Sequence, residues 1–371
     1  MPRQRTNILH HYISEFSEAE LVRLVSAASS RSSSVHIRTI TNPVVRFLAA
    51  STRVSGRKIY CNFDIHPDTY ERIMFNMVGK LLKDLSVEIE ANPSYKVEVK
   101  RALLSNQEGP MLTVLNELIV AGYYKSLGKA VKLNSSRESG MPDIELTDTP
   151  YASDVKLFPN RRLQLEAMVN TSGPKIYEAF KHFPSESILI FIFSPVKTDF
   201  NASIAQASNQ IKSSNVLHYM DATLNIVNAP PNYSGGDMIL RLENENTIIH
   251  LQASWPMDDA ITKLKQSVTH SIAQARNADK EAITWVMFPK DARRSGIEIT
   301  TLRFSGAGSE IMSENPGLYV MPVYSIDIDD GRVGFMFDIH QTGSNTFGIN
   351  EESFKNYAQT LANVPEILMR V

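Results

Sequence analysis

The stretch Gly140-Met-Pro-Asp-Ile-Glu-Leu146, carried through Thr147-Asp-Thr-Pro150 into Tyr151-Ala-Ser-Asp-Val-Lys-Leu157, decides how this chain is read. Two short runs alternate apolar and polar residues on either side of a turn rich in Asp, Thr and Pro, which predicts a β-hairpin. Successive strand side chains point to opposite faces, so Asp143 and Glu145 share one face. Asp154 and Lys156 also share a face, opposite Val155 and Leu157. With the turn centred on Asp148-Thr149, Asp143 lies directly across from Asp154. Like charges facing each other destabilise a strand pair. A cation between them removes that cost, and carboxylate oxygens around a hard divalent ion are the chemistry of a Mg²⁺ site.

A third carboxylate precedes the hairpin. Met111 to Gly128 reads as a helix closed by a glycine C-cap. Glu117 has Val114, Val120 and Ala121 three and four residues away, with Tyr124 two turns on, and so falls on a mostly apolar surface. A carboxylate there is costly unless it is paired, protonated or bound to metal. Ala130-Val-Lys-Leu133 supplies a first strand between this helix and the hairpin.

This order of parts resembles the PD-(D/E)XK nuclease superfamily. The resemblance runs over roughly residues 109 to 160 and rests on Glu117-x-x-x-Ala121-x-x-Tyr124-x-x-x-Gly128, then Pro142-Asp143, then Asp154-x-Lys156. It implies an α/β fold with a restriction-endonuclease-like core, a mixed central sheet flanked by helices. It also implies metal-dependent hydrolysis of phosphodiester bonds, DNA as the partner, and a setting in restriction, defence or repair.

In that reading Asp143 and Asp154 hold Mg²⁺ or Mn²⁺, and Glu117 adds a ligand directly or through water. Lys156 stands beside the attacking water. It orients that water, takes its proton or stabilises the negative transition state, and the sequence leaves these three roles open. Glu145 is an auxiliary on the Asp143 face. Arg161 and Arg162 are the candidate phosphate contacts, with Gln164 as a polar helper close behind the strand. Each residue also has an ordinary reading: a solvated strand face for Asp154 and Lys156, a turn residue for Asp143, a satisfied buried acid for Glu117. The rival function is an inactive nuclease-fold subunit that binds or scaffolds in a nucleic-acid complex. RNA is the alternative substrate, and a homodimer or a partner subunit is compatible with either.

Composition sets the outer bounds. The chain has 371 residues, 43% hydrophobic and 21% charged, as a globular protein with a sizeable core does. Its net charge of −2 argues against a constitutive nucleic-acid coat protein. No run reaches the apolar length of a membrane span, and no apolar signal core follows the basic N-terminus. The single cysteine, Cys61, excludes an intramolecular disulfide and fits a reducing cytoplasmic home.

Along the chain, residues 1 to 105 read as a mainly helical recognition or oligomerisation region. The segment from Pro67 carries Ile73, Met74, Met77, Val78, Leu81, Leu82 and Leu85 at helical spacing. Residues 106 to 290 read as the nuclease-like core, and 291 to 371 as β-rich. Two helix-strand pairs compete to complete the core sheet. One is Pro174 to Phe183 with Ile188 to Phe193. The other is Ala260 to Arg276 with Ile283 to Phe288, which would make 170 to 255 an insertion. A hairpin is expected around Asp330-Gly331. The scattered histidines show no zinc-ligand pattern, and no Gly-x-Ser-x-Gly elbow exists.

Overall fold

The computed structural model describes residues 19–20, 42–55, 58–61, 69–105, 107–136, 138, 140–157, 257–287, 349 and 351–362, with strands at 188–193, 218–220, 226–227, 238–241, 248–253, 318–321 and 340–341. The expected hairpin at Asp330-Gly331 lies outside these residues, as do Arg161, Arg162 and Gln164. The fold is mixed α/β. Chain contacts divide it into two compact units, one built from residues 1–30, 40–158 and 261–371, the other from 31–39 and 159–260.

The first unit holds helices α1 (Pro43–Ser51), α2 (Thr69–Asp84), α3 (Ser86–Ala91), α4 (Pro93–Leu103) and α5 (Glu108–Ser126). Between α1 and α2 the strands β1 (Thr52–Ser55) and β2 (Lys58–Cys61) form a small antiparallel pair that the sequence reading did not anticipate. After α5 come β3 (Val131–Leu133), β4 (Ile144–Leu146) and β5 (Tyr151–Leu157), an antiparallel meander. Gly128, at φ 74°, takes the left-handed turn that ends α5, and the Lys129 amide closes onto the Tyr124 carbonyl at 3.0 Å.

The second unit contributes β6 (Ile188–Phe193), β7 (His218–Met220), β8 (Ile226–Val227), β9 (Met238–Arg241) and β10 (Ile248–Ala253). They form a five-stranded sheet in the order β8-β7-β6-β10-β9. The apolar run Ile188–Phe193 is therefore the central strand of a separate sheet, parallel to both neighbours. Such a run marks a strand buried on both faces, and it does not say in which sheet. The chain then returns through α6 (Met257–Asn277) into β11 (Glu281–Met287). β11 pairs in parallel with β5, Thr284 opposite Asp154 and Trp285 opposite Val155. With β12 (Leu318–Met321) and β13 (His340–Gln341), the first unit's sheet has six strands ordered β13-β12-β11-β5-β4-β3.

The β-rich expectation for residues 291–371 needs a correction, because Glu351–Ala362 is a helix, α7. Phe354, Ala358 and Leu361 are buried at helical spacing. An aromatic cluster joins α7, α5 and β11. Phe354 and Trp285 flank Tyr123 at ring-centroid distances of 4.9 and 6.1 Å. Trp285 Nε1 donates to Tyr124 Oη at 2.8 Å, and Tyr124 Oη meets Ser153 Oγ at 2.6 Å. Three buried polar groups are thereby satisfied inside an apolar layer that fixes α5 against β5.

Gly122 lets α7 approach. A β-carbon there would stand 2.0 Å from Tyr357 Oη and 3.2 Å from Leu81 Cδ2. The Tyr357 hydroxyl is itself buried with no hydrogen-bond partner among the described residues. Gly122→Ala is expected to lower stability by about 1–3 kcal/mol despite its gain in helix propensity. Adding Tyr357→Phe should recover part of that loss. Urea unfolding of the single and double variants checks both, and a Gly122→Ala chain as stable as the parent would refute the packing argument.

Candidate active site

Three helices and the hairpin meet at the carboxylates. The β4–β5 ladder pairs Ile144 with Ser153 and Glu145 with Ala152, so the next step outward sets Asp143 across from Asp154. Asp143 Oδ2 accepts the Val155 amide at 2.8 Å, which pins its side chain across the hairpin. The Asp143 and Asp154 carboxyls lie within hydrogen-bonding reach of each other. Asp154 is only 2% exposed. Its Oδ2 accepts from Lys156 Nζ at 2.6 Å and from Ser271 Oγ of α6 at 2.6 Å. Its Oδ1 is buried with no hydrogen-bond donor among the described residues.

Glu117 stands behind this pair on α5, buried, with Oε2 accepting from Tyr95 Oη at 3.0 Å. Tyr95 is placed by the start of α4. Asn92 caps that helix by accepting from the amides of Ser94 and Tyr95, both at 3.1 Å, with Pro93 in the first turn. The same Asn92 donates through Nδ2 to the Leu133 carbonyl at 3.1 Å, tying α4 to β3. Glu98, one turn beyond Tyr95, raises the negative potential at Glu117. It is held by Ser135 Oγ and the Ser136 amide, both at 2.8 Å.

The structure thus gathers Glu117, Asp143, Asp154 and Lys156 in one electrostatic cluster. Glu145 is turned to other work. Its Oε1 accepts from Lys132 at 2.8 Å and Asn134 at 2.7 Å, a cross-strand ion pair on the meander. Burial opposes its ionisation, but those two donors outweigh it and hold Glu145 below the usual carboxylate range. Sequence reading missed Tyr95, Glu98 and the α6 residues. The Asn92-Pro93 helix start was the available signal for Tyr95.

Electrostatics follow from burying several acids near one lysine. Desolvation raises Glu117 to about 8, with the Tyr95 hydrogen bond pulling the other way. Desolvation, then the Glu117 charge, then the Asp154 carboxyl lift Asp143 well above the usual range. Burial also works against an ionised Asp154. The hydrogen bond from Asp143 and the Lys156 ammonium overcome it and hold Asp154 below the usual range. The pair is therefore asymmetric: Asp143 holds its proton more readily than an ordinary carboxyl, and Asp154 less readily.

Among the described residues, no set of three or more His, Cys, Asp or Glu side chains is gathered at coordination distance. Glu117 is held by Tyr95, and Asp154 by Lys156 and Ser271. The donor chemistry nevertheless fits a hard divalent cation. Two facing carboxylates offer only oxygens, and one of those oxygens is buried with no donor. No helix among the described residues is long and apolar enough to cross a membrane. No protein-family model, curated protein or solved structure matches the chain.

A pH dependence follows. Glu117 is raised from 4.5 to about 8, so between those values the folded chain holds a proton that the unfolded chain has released. That stabilisation is full below the lower value and is lost as pH rises through the upper one. Asp143 acts with the same sign, whereas Asp154 acts the other way and below its ordinary 3.8. In EDTA the melting temperature should fall from about pH 5 to about pH 8.5, and Glu117→Gln should flatten the fall. A parent chain whose melting temperature stays level or rises over that interval would contradict the buried-acid account.

Proposed function

We propose that this chain is a metal-dependent nuclease with a restriction-endonuclease-like core, acting on DNA. The observation that carries the reading is the facing pair Asp143 and Asp154, with an Asp154 oxygen unpartnered among the described residues, Glu117 behind and Lys156 at its side. The order α5, β3, β4, β5, α6, β11 supports it, because β11 completes the sheet in parallel beside the strand that bears Asp154 and Lys156. Asp143 and Asp154 would hold Mg²⁺ or Mn²⁺, with Glu117 joining them. A bound divalent ion supplies a water of lowered pKa and neutralises charge on a phosphate.

The chain's own residues do the rest. The Val155 amide and Ser271 hold the two aspartates in place. Lys156, whose side chain is 24% exposed, reaches solvent where Asp154 and Glu117 are buried, and that is where a phosphodiester and its attacking water would stand. Its ammonium offers a positive charge to the phosphate oxygens. The second reading, a binding or scaffold subunit without activity, is favoured by one observation. Lys156 is closed onto Asp154, and the acids are not gathered at coordination distance.

Incubating the chain with supercoiled plasmid and Mg²⁺ or Mn²⁺ separates these readings, with a matched RNA alongside. Nicking or linearisation is expected, abolished by EDTA and reduced about 10²-fold or more in Lys156→Ala and Asp154→Asn. Cleavage that persists in both variants would remove the site assignment. No cleavage of DNA with either metal would turn the reading to RNA, if that strand is cut, or to the binding subunit.

A further inference from the structure

We infer that α6 is the positioning element of the carboxylate pair, and that Ser271 selects which Asp154 oxygen is presented to the cation. This deepens the metal-dependent reading and rests on it. Ser271, Gln274 and Asn277 recur at three-residue spacing and so lie along one side of α6. Each donates to one of the two segments that carry the aspartates. Ser271 Oγ bonds Asp154 Oδ2 at 2.6 Å, Gln274 Nε2 bonds the Met141 carbonyl at 2.6 Å, and Asn277 Nδ2 bonds the Gly140 carbonyl at 2.8 Å. One helix thus grips the entry to Pro142-Asp143 through its backbone and Asp154 through its side chain. Gly140 fits this grip, since at φ 82° a β-carbon would come within 2.8 Å of Asn277 Nδ2.

The carboxylate of Asp154 has two chemically equal oxygens, and rotation about its last bond is broad and nearly two-fold. Something must break that symmetry if one oxygen is to face a cation reproducibly. Lys156 is a poor choice, because it is flexible, partly exposed and needed by the substrate. Ser271 is fully buried on a helix of 21 residues and holds Oδ2 at 2.6 Å. With Oδ2 retained by Ser271, Lys156 is free to release Asp154 and turn to a phosphate, while Oδ1, buried and without a donor among the described residues, remains the ligand atom. Ser271 touches neither cation nor substrate and acts only through Asp154, as partners behind metal ligands do.

The test is Mn²⁺ binding to the full chain, read from the electron paramagnetic resonance of free Mn²⁺, with unfolding in EDTA alongside. Ser271→Ala removes the hydroxyl and keeps a good helix former. Thr269→Ala removes an exposed hydroxyl from the same helix, one that bonds the Lys265 carbonyl at 2.9 Å, and serves as the control. Ser271→Ala should weaken Mn²⁺ binding about tenfold, with its cleavage deficit shrinking as Mn²⁺ is raised, while Thr269→Ala binds like the parent. Parent and Ser271→Ala binding within twofold of each other would overturn the inference and leave the metal reading intact. A loss shared by Thr269→Ala, together with a common fall in melting temperature, would make the role one of helix stability and overturn it too. A parent chain that binds no Mn²⁺ would remove the metal reading and this inference together.

Discussion

Asp143 and Asp154 face one another across a tight hairpin, Asp154 buried and Asp143 half-buried. Two ionised carboxylates in such a setting repel strongly, and only a proton, a cation or a set of donors makes the arrangement tolerable. The chain supplies donors unequally. Asp154 receives Lys156 and Ser271 on one oxygen, Asp143 receives the Val155 amide, and the second oxygen of Asp154 has no donor fixed on it among the described residues. The rest of the first unit is arranged around that imbalance.

The neighbouring helices are tied to the hairpin and to the acids around it by polar contacts, some of them buried in an otherwise apolar layer. Helix α5 brings Glu117 and is fixed to β5 and β11 by the Tyr124, Ser153 and Trp285 chain of hydrogen bonds. Helix α4, started by Asn92, brings Tyr95 to Glu117. Helix α6 brings Ser271, Gln274 and Asn277. Hydrogen bonds of this kind contribute little net stability, but leaving any of the partners alone and buried would cost more than the bond returns. Geometry at the pair is therefore held by many small terms, and a bound cation would act on a site whose second layer is already built.

Much of this was legible in the residues themselves. The alternation in 142–157 and its turn chemistry placed the hairpin and the Asp143–Asp154 opposition, because strand period and turn length leave one register that buries Ile144, Leu146 and Val155. Glu117 stood out as an acid inside an apolar helix face. What local pattern could not supply was which distant segment completes the sheet. Ile188 to Phe193 and Ile283 to Phe288 both read as strands, and only the pairing of β11 with β5 separates them. Ser271, Gln274 and Asn277 were hidden for the same reason. They are ordinary polar helix residues until α6 is known to cross the hairpin. Helix α7 was obscured by a region rich in β-forming residues, although Phe354, Ala358 and Leu361 keep helical spacing.

As the proposed cation site, the carboxylate pair would not be a stable end in itself. Asp143→Asn tests it most directly, because the amide keeps the shape, can still accept from the Val155 amide, and can donate to Asp154. Thermal unfolding of parent and variant would be compared at about pH 8, in EDTA and in Mn²⁺. The account predicts that the variant is the more stable chain in EDTA and does not respond to Mn²⁺, whereas the parent is stabilised by it. A parent chain unmoved by Mn²⁺, beside a variant that is less stable in EDTA, would contradict the account.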